Sequence, residues 1–113
     1  MKKTLTILIA AGTLLTAAGC SPAPQMSNAE TCARIKTIVS SPTAGSDKPG
    51  MIRLANQLRP VEVTSSNDLK DPLKSVIAYL DESTKENPDS AKVDDLKAKY
   101  TDAGQKFGAV CGQ

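Results

Sequence analysis

From Ser27 to Val110 the apolar residues return every three or four positions, and nowhere do they alternate long enough to make a strand. That pattern restricts the chain to helices packed through apolar stripes. The stripes read Cys32, Ile35, Val39, then Met51, Leu54, Ala55, Leu58, then Leu73, Val76, Ile77, Leu80. A longer last one runs through Val93, Leu96, Tyr100, Ala103, Phe107 and Val110.

Caps and prolines divide the stripes. Ser27-Asn28-Ala29-Glu30 matches a capping box, in which the serine oxygen meets an early amide and the glutamate reaches back. Ser41-Pro42 stops the first helix, and a Gly- and Pro-containing loop runs through Pro49. Pro60 lacks an amide donor and should kink or end the second helix. Val61 to Thr64 then fits a further helical turn or a short extended piece, and the kinked helix is favoured. Asp71-Pro72 reads as cap and first residue of the third helix, with Leu69 in a preceding turn. Asn87-Pro88 closes that helix, and Asp89 or Ser90 caps the last and longest. The expected fold is all-α, a small antiparallel bundle of about four helices over residues 27–113.

Residues 1–19 have a different character. Lys2 and Lys3 precede an apolar stretch from Leu5 to Ala18, which ends in the small residues Thr16-Ala17-Ala18-Gly19. That order is the pattern of a cleaved export signal. The stretch is shorter than the roughly 20 residues that span a bilayer comfortably.

The small-residue run ends in Cys20, and Ala17-Ala18-Gly19-Cys20 resembles the lipobox of bacterial prolipoproteins, with Ala17 where that family usually carries leucine. The resemblance implies cleavage before Cys20, a diacylglyceryl group on its sulfur, and residence on the extracytoplasmic face of a cell membrane or outer membrane. Ser21 stands where an aspartate would resemble an inner-membrane retention signal, which in a two-membrane cell favours the outer membrane. Residues 20–26 then form the lipidated cysteine and a tether with two prolines, Pro22 and Pro24, extended and semi-rigid at about 3.1 Å per residue. The first cationic side chain after Cys20 is Arg34, so anchoring rests on acyl chains rather than on attraction to anionic headgroups. Ordinary secretion without lipid is the alternative.

Three cysteines leave one over in an oxidising compartment. If Cys20 carries lipid, Cys32 and Cys111 remain as a pair. They lie in the first turns of the first helix and at the end of the last, ends that fall on one side of an up-down-up-down bundle. A disulfide there is expected to be structural, because no Cys-x-x-Cys spacing is present. A small domain without tryptophan has a thin core, and such a staple is useful to it.

Charge and residue types exclude several functions. All 12 acidic residues follow Cys20, and removing Lys2 and Lys3 from the 14 basic ones leaves 12, so the mature chain is neutral. That removes the electrostatic case for nucleic acid. The absence of histidine excludes Ser-His-Asp and Cys-His nucleophile systems and the common zinc sites. No Ser-x-x-Lys motif occurs, and the seven glycines are scattered singly, which leaves no phosphate-cradling loop. Neither Asp81-Glu82 nor Asp94-Asp95 has a calcium-loop spacing, and both sit among lysines on faces expected to be wet. Tyr79, Tyr100 and Phe107 read as packing residues. Lys92, Lys97, Lys99 and Lys106 with Asp94, Asp95 and Asp102 form a mixed-charge face.

No catalytic residues, cofactor or metal ligands are therefore expected. The reading is a membrane-anchored, non-catalytic binding or adaptor module with an envelope protein as its partner. A small-ligand carrier with a cavity between helices is the alternative. The end-to-end cysteine pair also resembles small, functionally unassigned helical lipoproteins of actinobacterial type, a likeness that carries over no functional residue.

Overall fold

A computed structural model describes residues 24–112. The leader 1–19, the lipidation candidate Cys20 and residues 21–23 lie outside the described residues. The fold is all-α, with helices α1 (Asn28–Val39), α2 (Lys48–Thr64), α3 (Asn67–Ser83) and α4 (Ser90–Cys111).

Helix α1 starts as its capping box dictates: Ser27 Oγ accepts from the Glu30 amide at 3.1 Å, and Glu30 Oε2 accepts from the Ser27 amide at 2.8 Å. Helix α2 runs through Pro60 to Thr64, so the helical reading of Val61–Thr64 holds. Its stripe buries Ala55, Leu58 and Val61, with Met51 and Leu54 packed against them. Near its start Gly50 meets Gly45 so closely that a Cβ on Gly50 would lie 2.7 Å from the Gly45 backbone, which reserves the position for glycine.

Helix α3 corrects the reading of Asp71-Pro72. Only Ser65 and Ser66 separate α2 from α3, and α3 begins at Asn67 with Pro72 inside it. The physical reason lies in Leu69, which is fully buried with Leu73 one turn on. Burying a leucine contributes about 1.5–3 kcal/mol, comparable to the roughly 3 kcal/mol that an interior proline costs. Pro72 is the sixth residue of α3, and the carbonyl it leaves without a donor belongs to Asp68, exposed in the first turn. The Ser66 amide gains an acceptor outside its own helix in the buried Thr31 hydroxyl, at 3.1 Å.

Helix α4 opens on Asp89, whose side chain accepts from the Lys92 amide at 3.2 Å. Its stripe is shallower than its period suggests. Ala103 is buried, Val93, Leu96, Phe107 and Val110 are half-buried, and Tyr100 is exposed. In α1 likewise, Val39 is exposed while Ile38 packs on the core and Thr31 is fully buried.

Successive helices pack on one another, α3 on α4 most extensively, and α1 closes against α4. The Cys32–Cys111 disulfide joins the first turns of α1 to the last of α4 with a Cα–Cα distance of 5.5 Å. The start of α1, the α2–α3 junction and the end of α4 thus share one end of the bundle. The α1–α2 loop and the α3–α4 turn lie at the other. No described helix is long and apolar enough to cross a membrane.

Candidate functional site

The entry end of the bundle is where the chain arrives from Cys20. Residues read as free tether are already part of the domain there. Gln25 Nε2 donates to the Ser65 carbonyl at 3.1 Å and to Asn67 Oδ1 at 2.7 Å. The Met26 amide donates to the Thr64 carbonyl at 2.7 Å, and its side chain packs against the core. The link between Cys20 and the docked chain thereby shortens to residues 21–24.

Docking of this segment walls a groove of about 1150 Å³ against α1 and α2. Met26, Ala33, Ile38, Pro60 and Val61 give it apolar sides. Glu30, Arg34 and Gln57 bring polar groups to it. The capping bonds from Ser27 hold the Glu30 carboxylate below its ordinary pKa, so it is charged at neutral pH. Sequence reasoning missed the groove, since one wall is a segment bonded to residues about forty positions away.

At the far end, Glu82 corrects the expectation that Asp81-Glu82 is a wet surface pair. Glu82 is buried, 4% exposed, while Asp81 faces outward and pairs with Arg59. Lys85 Nζ lies 2.6 Å and Lys92 Nζ 3.2 Å from Glu82 Oε2, and the Asp89 amide donates to Oε1 at 3.3 Å. The Lys85 hydrogen bond chiefly lowers its pKa; burial opposes this, and the Asp89 amide and Lys92 add to the lowering, leaving it at about 2. A carboxylate held charged across the neutral range is a poor proton donor or acceptor there. It ties the end of α3 to the start of α4 across the turn.

Asp94 and Asp95 are exposed, and Asp95 pairs with Lys99 at 3.1 Å along the helix. Tyr79 and Tyr100 stack with ring centroids 4.8 Å apart, and Phe107 packs on the core. None of these three aromatics lines the groove. Among the described residues no group of three His, Cys, Asp or Glu side chains is placed to hold a metal ion.

Of the site residues expected from sequence, the structure brings Cys32 and Cys111 together, and Cys20 lies beyond its described residues. Comparison with protein-family models, with curated proteins and with solved structures finds no match for this chain.

Proposed function

We propose that this chain is an exported lipoprotein, anchored through a diacylglyceryl group on Cys20, whose helical domain is a non-catalytic binding or adaptor module at the extracytoplasmic membrane surface. The observation that carries the reading is the Cys32–Cys111 bond. Disulfides belong to oxidising compartments, and this one uses two of the three cysteines. The cysteine left is the one that ends the lipobox-like run.

The entry geometry supports the same reading. With Gln25 and Met26 fastened to the α2–α3 junction, a lipid on Cys20 would hold that end of the bundle within about 14 Å of the bilayer, the reach of four extended residues, and turn the Glu82 end outward. A partner protein in the envelope would approach the outward end. The open groove favours a second reading, a carrier for a small apolar ligand, which saturable uptake of a free fatty acid by the unlipidated domain would support.

Membrane fractionation tests the anchor. Cys20→Ser should move the protein from the membrane to the soluble fraction, since lipid chains are its hold on the bilayer. Undiminished retention of the variant would assign the hold to the leader instead.

A further inference from the structure

The groove and the anchor are neighbours, and their chemistry matches. We propose that one acyl chain of the lipid on Cys20 folds back into the groove between α1, α2 and Pro24–Met26 when the protein leaves the bilayer. This rests on the lipidation reading above. Pro24 and Met26 are themselves part of the groove wall, and Cys20 lies four residues before Pro24, so even a fully extended link starts the lipid within about 14 Å of its mouth. From there the groove runs beside α1, where Ala33 and Ile38 line it.

The walls suit such an occupant. Ala33, Ile38, Pro60 and Val61 offer apolar surface to methylenes. The groove covers a chain on part of its circumference, whereas a bilayer surrounds it. The bilayer therefore holds the lipid when present, and the groove shields one chain from water in transit. A long basic or acidic ligand is disfavoured, because Glu30 and Arg34 bring opposite charges to the same groove.

The chain has no tryptophan, so a single indole reports on the groove. The mature lipoprotein would carry Ala33→Trp in the groove or, as a control, Ala98→Trp on the exposed face of α4. Intact mass establishes which preparations bear the diacylglyceryl group. In detergent-free buffer the indole at 33 should emit at shorter wavelength and resist iodide quenching in lipidated protein, relative to the same reporter with Cys20→Ser. Added phosphatidylcholine vesicles should reverse both changes, and the indole at 98 should show neither.

Equal emission at 33 with and without a verified lipid overturns the groove proposal and leaves the anchor standing. A mass without lipid overturns the anchor reading itself. A shift at 33 in the Cys20→Ser protein as well gives the groove to another occupant, and an equal shift at 98 shows self-association in place of folding back. Either result overturns the proposal.

Discussion

Helices α3 and α4 pack on each other more extensively than any other pair, yet they are held in different ways. Over 17 residues α3 buries Leu69, Leu73, Ile77, Leu80 and Glu82, whereas the 22 residues of α4 bury Ala103 alone. What α4 lacks in depth is supplied at its two ends. Lys92 pairs with Glu82 near its start, and Cys111 is bonded to Cys32 at its close. The tilted Tyr79–Tyr100 pair adds a mid-helix contact of about 0.5–1.5 kcal/mol, less for the exposure of Tyr100. A helix can thus be fixed in a small bundle by its ends when its middle has little core to offer.

That contrast can be broken first at the disulfide. The bond joins residues 79 apart, and in the chain-entropy model closing such a loop stabilises by roughly 4–5 kcal/mol. Cys32→Ser with Cys111→Ser should lose much of that in denaturant unfolding. Amide exchange should then accelerate most in the last turns of α4 and least in α3. Uniform acceleration in both helices would mean that α4 is not end-held.

Side-chain truncation sharpens the same contrast at smaller scale. Leu69→Ala should cost about 2–5 kcal/mol, as buried leucines do. Leu96→Ala, at a half-buried position of α4, should cost about 1 kcal/mol. Equal losses by chemical denaturation would show that α4 is packed as deeply as α3.

The Glu82 link gives a pH signature. Its folded pKa of about 2 lies below the ordinary 4.5, so the stability it contributes is fully present above about pH 4.5 and is lost as pH falls toward 2. Glu82→Gln should flatten that part of the stability profile. Glu30 is also held low by Ser27, so it retains its own share of acid sensitivity. An unchanged profile in the variant would show that Glu82 does not keep its lysine partners in solution.

The helices themselves were legible because period and caps are local. Ser27–Glu30 formed the expected box, and of the two cap candidates Asp89 and Ser90 it is Asp89 that caps α4. Depth was not legible, since Val39 and Tyr100 keep the helical period and are nonetheless exposed. The start of α3 was misread because a strong local signal, Asp71-Pro72, is outweighed by the non-local burial of Leu69 and the Thr31–Ser66 bond. For Glu82 the i,i+3 partner Lys85 was visible in sequence, but Lys92 and the Asp89 amide arrive only when the chain turns back. The disulfide was within reach because it followed from cysteine parity and helix direction together. The groove required knowing that Gln25 and Met26 return to the α2–α3 junction, and no local pattern encodes that.

The most direct test of the proposed lipid anchor and of the end staple is the intact mass of the protein purified in detergent from the cells that make it, before and after reduction. The account predicts a chain beginning at Cys20 that carries a diacylglyceryl group and gains two hydrogens on reduction, from the Cys32–Cys111 bond. A chain that retains Met1, lacks the lipid, or keeps the same mass on reduction would contradict it.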